Sequence, residues 1–350
     1  MSGGLDSSVT AALLHRAGLE VVGLSMQLFP KDPGRDSAGS CCTLDDFQDA
    51  RRVAHQMGFP HFVMNFEEAF RSQVIEGFIQ GYLDGDTPSP CIRCNQHLKF
   101  SKLLDRAEEL GAGHVATGHY AEIAWDGHRW HLGKARDPQK DQSYFLFHHT
   151  QATLARTLFP LARFSKPEVR RMASDLGLHL ADKAESQEIC FVPGDDYQAF
   201  LAGQGRLPED GSGDIRLLDG QVVGSHRGIW GYTVGQRRGL GVAWSEPLYV
   251  IRTDPRSRTV WVGTEADLYQ LELTAQDLSW VEGAPTGPLA CSARIRSRSP
   301  EAEALVIPLP DGRVKVAFAE PQRAIAPGQA VVFYRDGAVL GGGWICRPRV

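Results

Sequence analysis

The sequence predicts an α/β domain built on a parallel sheet, then a small central domain, then an all-β barrel. Three observations carry that expectation. Short apolar strands alternate with helical stretches through the first half, the pattern of strands joined by right-handed helical crossovers. From about Gly203 the texture changes, with glycines at 205, 211, 213, 220, 224, 228 and 231. From Leu271 onward, β-rich runs are separated by the turn dipeptides Asp311-Gly312, Pro327-Gly328 and Asp336-Gly337. The 350 residues accommodate this as domains over 1–198, 199–270 and 271–350.

The elements follow in order. Val9 to Ala17 reads as a helix stopped by Gly18. Leu19 to Ser25 is a strand with Met26 just after it. Thr43 to Asp46 is a capped helix start, and that helix runs through Ala50, Val53 and Ala54 to Gly58. His61 to Asn65 is a strand, and Glu67 to Leu83 and Lys99 to Leu110 are helical. His114 to Thr117 is a strand running into Gly118-His119-Tyr120. Later runs at Ala290–Arg296, Ala304–Ile307, Val314–Phe318 and Ala330–Tyr334 read as barrel strands. Ligands of a parallel sheet sit at the carboxyl ends of its strands, where Gly4, Met26 and Gly118 fall.

The first chemical signal is Ser2-Gly3-Gly4-Leu5-Asp6-Ser7, followed at once by a helix. Two glycines permit backbone geometry closed to other residues. A loop feeding a helix N-terminus aims free N–H groups and the positive dipole end at one point, where an anion binds. Asp6 would repel phosphate there unless it holds Mg2+ or caps the helix. A glycine-rich turn with a serine cap is the plainer alternative. No Gly-Lys-Ser/Thr follows, so this is not a Walker loop. It resembles the SGGxDS loop of the PP-loop ATP pyrophosphatases, which adenylate a substrate and release pyrophosphate. Such loops follow a buried strand that nothing ahead of Met1 supplies here, so the expectation is a truncated start.

Composition is that of a globular protein, 42% hydrophobic and 23% charged, with no apolar run long enough to cross a membrane and no visible signal peptide. Seven cysteines, an odd count, argue for reactive or metal-binding thiols rather than a disulfide framework. The net charge of −5 argues against indiscriminate nucleic-acid binding, though not against a local basic surface.

Cys91-Ile92-Arg93-Cys94 follows Thr87-Pro88-Ser89-Pro90, whose prolines hold the approach extended. With Gln96 to Leu104 helical, Cys94 lies near a helix N-terminus beside Arg93, which favours thiolate. Cys190 follows in Glu185-Ser186-Gln187-Glu188-Ile189. A CxxC pair fits a redox pair, half a zinc site, part of an iron–sulfur site or two structural thiols; Cys41-Cys42 joins only if its loop folds back. Cys291 and Cys346 read as packed residues, and His148-His149 as a solvated pair or a helix start. Arg294, Arg296 and Arg298 alternate, so in a strand they share one face suited to phosphate contacts or to guarding an edge.

Taken with Ala116 to Ala121, Lys140 to Leu146, Gly235 to Gly241, Pro327-Gly328-Gln329 and Leu340 to Gly343, these motifs in this order are similar to the bacterial tRNA-specific 2-thiouridylases. The resemblance covers nearly the whole chain. It implies a PP-loop fold of the adenine-nucleotide alpha-hydrolase type. It also implies a cytoplasmic enzyme that uses ATP and Mg2+ to replace O2 of the tRNA wobble uridine with sulfur. It gives Ser2, Gly3, Gly4, Leu5, Asp6 and Ser7 to ATP phosphates and Met26 and Gly118 to adenosine. Cys94 matches the nucleophile and Cys190 the persulfide carrier, loaded by a partner such as a cysteine desulfurase or sulfur relay protein. A Cys94–Cys190 disulfide would form in turnover. Ser89, Pro90, Cys91, His119, Lys140, Asp141, Gln142, Arg296, Ser297 and Gln329 match tRNA-contacting positions. Some members carry aspartate where this chain has Cys91, and an aromatic where it has Ser297. Cys91, Cys94 and Cys190 holding an iron–sulfur cluster is the rival within this reading. A PP-loop ligase or amidotransferase acting on a small metabolite, or a non-catalytic RNA-binding protein, are the rivals outside it.

Overall fold

In the computed structural model, which describes residues 1–29, 43–183, 189–192, 194 and 196–348, the first helix begins directly behind the glycine pair. That helix, α1 (Leu5–Arg16), carries Asp6 in its first turn and His15 and Arg16 in its last, each matched to the dipole. Gly18 follows it in the left-handed conformation. The chain forms two units. One comprises Met1–Val74, Cys91–Tyr197 and Gly337–Val339; the other comprises Ile75–Pro90, Gln198–Asp336 and Leu340–Val350.

In the first unit, β1 (Gly23–Gln27) begins later than expected, because Leu19 and Val22 are exposed rather than paired. Helix α2 (Leu44–Met57) has a Thr43/Asp46 capping box and a left-handed Gly58 at its end, as its sequence requires. It leads to β2 (His61–Asn65), parallel to β1 from Gly23↔His61 to Gln27↔Asn65. A second parallel pair joins β3 (Val115–Ala116) to a strand at Thr157–Leu158. The parallel sheet therefore appears, among the described residues, as two ribbons. Met1 lies beside β1, its ammonium donating to the Leu24 carbonyl and its carbonyl accepting from the Ser25 hydroxyl at 2.6 Å.

The unit also holds elements beyond those the sequence predicts, two of them prominent. The first is a hairpin of β4 (Ala121–Trp125) and β5 (Trp130–Lys134), turned at Asp126-Gly127. The second is a helix over Lys166–Asp175, begun where the Glu168 carboxylate accepts from the Ser165 backbone N–H at 2.6 Å. With the Thr157–Leu158 strand as β6, the core packs Leu5, Val9 and Ala12 of α1 against Val53, Tyr120, Leu161, Val169 and Ala173.

The second unit contains a four-stranded sheet in the order β8 (Val222–His226), β7 (Gly213–Leu217), β10 (Thr259–Gly263), β9 (Tyr249–Asp254). Only the β7–β10 pair is parallel. Six further strands close into a barrel: β11 (Tyr269–Trp280), β12 (Leu289–Arg294), β13 (Ala302–Pro308), β14 (Val314–Arg323), β15 (Ala330–Arg335) and β16 (Ala338–Ile345). Pairing runs β11–β14–β13–β12–β15–β16, and β16 returns to β11, so no edge is left open. Val306, Val316, Val331 and Phe333 fill the interior, with Trp280 stacked on Phe333 at 5.4 Å.

Candidate active site

Gly3 is where the opening loop is shaped. Its φ is +69°, and a Cβ there would lie 2.2 Å from the Asp46 carbonyl oxygen of α2. Only glycine lets the loop lie against that helix start. Gly118, two residues beyond β3, supports the loop from another side: a Cβ there would lie 2.8 Å from the Asp6 Cβ and 2.9 Å from the Ser7 nitrogen. Between these contacts the Ser7 hydroxyl meets the Ser2 nitrogen at 3.0 Å and the Gly4 carbonyl at 3.1 Å, and the Ser8 hydroxyl donates to the same carbonyl at 2.9 Å. The loop is thus braced by its own serines, and Leu5 anchors it in the core. Met26, expected on the adenosine side, is half-buried in β1.

Asp6 has partners the sequence did not reveal. Lys166 Nζ donates to both carboxylate oxygens, at 2.7 and 2.8 Å, and the Tyr120 hydroxyl donates to Oδ1 at 2.8 Å. A second lysine binds the loop itself. Lys183 Nζ donates to the Gly3 carbonyl at 3.0 Å, to Asp46 at 2.8 Å and to Asp49 at 2.6 Å, so all three of its protons are used. Burial opposes the Lys183 charge, but the hydrogen bonds to Asp46 and Asp49 outweigh it and its pKa is raised. The Asp49 carboxyl is lowered because the bonds from Lys183 and His179 overcome its desolvation. Neither lysine carries a local signal. Lys166 lies 160 residues from Asp6 and Lys183 lies 180 from Gly3, and isolated lysines normally mark solvent.

The cysteine helix differs from expectation. It starts at Pro90 rather than Gln96 and runs to Glu109, with a π-helical stretch at Asn95–Lys102 and a break at Phe100. Proline suits a first helical position, where its missing N–H is not needed. Cys91 therefore occupies the first turn and is exposed, whereas Cys94 sits one turn in and is buried. A π turn in this place is a common companion of functional sites. Cys190 is half-buried. Residues 184–188 of its segment, and Cys41-Cys42, lie outside the described residues.

Several tRNA-matching positions have internal partners. The Asp141 carboxylate accepts from the Ala135 and Ser143 nitrogens at 3.1 and 3.2 Å, and Gln142 Oε1 accepts from the Tyr120 nitrogen at 2.9 Å. Lys140, beside them, is half-buried. The His119 ring packs against Phe100 and Phe159 and shares a 2.7 Å hydrogen bond with the Thr117 hydroxyl. Burial holds its pKa well below the usual value. His148 and His149 are also buried, stacked at 5.1 Å beside Phe100, which replaces the expected solvated pair.

In the second unit, Gln329 Nε2 donates to the Thr87 carbonyl at 2.8 Å and the Thr87 nitrogen donates to the Pro327 carbonyl at 2.8 Å. The Thr253 hydroxyl binds the Gly85 carbonyl at 2.7 Å. The segment leading into half-buried Ser89 and buried Pro90 is thereby tied to both β modules. The expectation of three arginines on one strand face is corrected. β12 ends at Arg294, and residues 295–299 turn. Arg294 pairs with Glu301 at 3.0 Å, Arg296 donates to the Val234 and Ala324 carbonyls at 3.1 and 2.9 Å, and Arg298 is exposed. Ser297 is half-buried in the same turn.

Among the described residues, no group of three or more His, Cys, Asp or Glu side chains could hold a metal ion. Cys91, Cys94 and Cys190 are thus not gathered as an iron–sulfur site would need. Both Asp6 oxygens accept from Lys166. No helix among the described residues is long and apolar enough to cross a membrane.

Comparison with known proteins agrees with this architecture. Residues 1–194 match the family described as tRNA methyl transferase HUP domain, 198–264 the tRNA methyl transferase PRC-barrel domain, and 270–345 the aminomethyltransferase beta-barrel domain. A tRNA-specific 2-thiouridylase MnmA of Solibacter usitatus is 49% identical, covering 99% of this chain and 97% of its own. Proteins of the same name from Geobacter metallireducens and Heliobacterium modesticaldum are each 50% identical over 99% of this chain, covering 95% and 91% of theirs.

Proposed function

Because the chain belongs to the tRNA-specific 2-thiouridylase family, we propose that it uses ATP to replace O2 of the wobble uridine of tRNA with sulfur. The observation that carries this is similarity running the full length of the chain, through the α/β unit and both β modules alike. A PP-loop ligase acting on a small metabolite would need neither module.

ATP phosphates lie over Ser2 to Ser7, where the first N–H groups of α1 and the serine hydroxyls meet negative charge; Mg2+ enters with the nucleotide. Uridine O2 attacks the α-phosphorus and pyrophosphate leaves, turning O2 into part of a good leaving group. The fixed N–H donors stabilise the charge that develops on the phosphoryl oxygens. Sulfur arrives as a persulfide on Cys190, loaded by a donor protein. The Cys94 thiolate attacks Cys190 Sγ and the S–S bond of the persulfide breaks. Hydrosulfide leaves, and a Cys94–Cys190 disulfide forms. Hydrosulfide adds at C2, AMP departs, and an external dithiol reduces the disulfide. Direct attack of the terminal persulfide sulfur on C2 is the variant of this route. Cys91, exposed in the first turn of the helix, stands beside the target base.

The test incubates the full chain with ATP, a persulfide donor and tRNA lacking 2-thiouridine, followed by mass spectrometry of the nucleosides. The expected product is 2-thiouridine, lost in both Cys94→Ser and Cys190→Ser. Normal rates in both variants overturn the thiol mechanism. Pyrophosphate release without tRNA points instead to the metabolite ligase.

A further inference from the structure

Two locally unfavourable charges meet at the opening loop. Asp6 places a carboxylate in the first turn of α1, where an anion is expected to bind. Lys166 is the first residue of its helix, so its ammonium lies at the positive end of a dipole, with a side chain only 9% exposed. Each placement is poor alone. Together they form a two-oxygen ion pair at 2.7 and 2.8 Å, with the buried Tyr120 hydroxyl fixing the carboxylate from another direction.

We propose that Lys166 is a positioning residue of the nucleotide site: it holds the Asp6 carboxylate as a neutral pair so that the first turn of α1 accepts a polyphosphate. Asp6 orients the loop through Tyr120 and Lys166, and Lys166 cancels the charge that orientation would otherwise set against the phosphates. The inference rests on the ATP-dependent reading above and specifies what makes its phosphate site tolerant of an acid.

The experiment measures binding of a non-hydrolysable ATP analogue and of adenosine to the full chain, in wild type, Lys166→Met, Lys166→Arg and the double variant Asp6→Asn/Lys166→Met. Lys166→Met weakens the ATP analogue about tenfold or more, the effect of one uncompensated charge a few ångströms from a phosphate. Adenosine, which has no phosphate, is little affected. Lys166→Arg and the double variant, which each keep the pair's net charge, bind the analogue more tightly than Lys166→Met, while the double variant stays weaker than wild type because it lacks the carboxylate that orients the loop. Should Lys166→Met fail to fold, Lys166→Arg and the double variant decide the matter. Equal losses for ATP analogue and adenosine, or a folded double variant that does not recover, overturn the proposal and leave Lys166 a scaffold residue. A wild-type protein that binds no ATP analogue defeats the ATP-dependent reading itself. Wild-type binding with an indifferent Lys166→Met defeats only the inference.

Discussion

In the α/β unit two lysines meet three carboxylates around a loop of small residues; in the unit that holds the barrel, arginines of the alternating run meet a glutamate and backbone carbonyls inside the fold. The first arrangement braces a loop directly ahead of a helix N-terminus. The second engages guanidinium groups in holding β12, β13 and the turn after β12. A cation in a sequence is therefore not a statement about a ligand. Its partners decide whether it prepares a site or fastens a fold.

The largest test of this contrast is at Gly3. Replacing it with alanine puts a Cβ 2.2 Å from a backbone oxygen at φ +69°, so neither the loop nor α2 can stay in place. The expected result is loss of ATP-dependent thiolation by at least about a hundredfold and destabilisation of about 2 kcal/mol or more, read by nucleoside mass spectrometry and denaturant melts. A near-normal Gly3→Ala would show that the loop tolerates displacement.

Acid comes next. His149 titrates at about 3 in the fold because burial opposes its charge, and His119 and His148 are lowered for the same first reason. The unfolded chain protonates these rings near 6.5. Above that pH the two states bind equal protons and the contribution to stability is complete. As pH falls from 6.5 towards 3 the unfolded state binds more protons, and His149 lowers stability by up to about 1.4 kcal/mol per pH unit, with His119 and His148 acting in the same direction. Replacing His149 with phenylalanine should flatten the acid limb of a stability-versus-pH curve; an unchanged limb would place the loss elsewhere.

A smaller effect is expected at Lys183. Lys183→Met removes the cation bonded to Asp46 and Asp49, which keep Thr43 and His179 as their remaining partners, and should lower stability by about 1–3 kcal/mol while raising the ATP requirement. The Thr43–Asp46 cap limits the loss. The smallest effects belong to the arginines after β12. Arg296→Ala should cost about 1–2 kcal/mol of stability by removing two hydrogen bonds from a charged donor. Arg298→Ala should leave melting unchanged. If Arg298 meets tRNA phosphate, its loss also shallows the salt dependence of tRNA binding by about one unit in log–log slope. Equal melting of the two variants would erase the distinction between fastening and exposed arginines.

Much of the fold was legible because its signals are local. The Thr43/Asp46 box and Gly58 delimit α2, and the turn dipeptides punctuate the barrel strands. The β4–β5 hairpin and the Lys166–Asp175 helix are marked in sequence only by Asp126-Gly127 and Ser165/Glu168, short signals that many loops share. The cysteine helix starts at Pro90, earlier than the sequence predicts, because proline suits the opening of a helix as well as an extended approach.

The sequence alone determined the glycine-serine loop ahead of α1, the order of its motifs and the all-β character of the last third, since glycine freedom, capping and period-two runs act over a few residues. Only the tertiary structure decided that Lys166 neutralises Asp6, that Lys183 grips Gly3, that Cys94 is buried while Cys91 is exposed, and that the arginines after β12 do not share a face. These depend on which distant groups the packed core brings within about 3 Å, the range at which hydrogen bonds form and at which opposite charges attract most strongly.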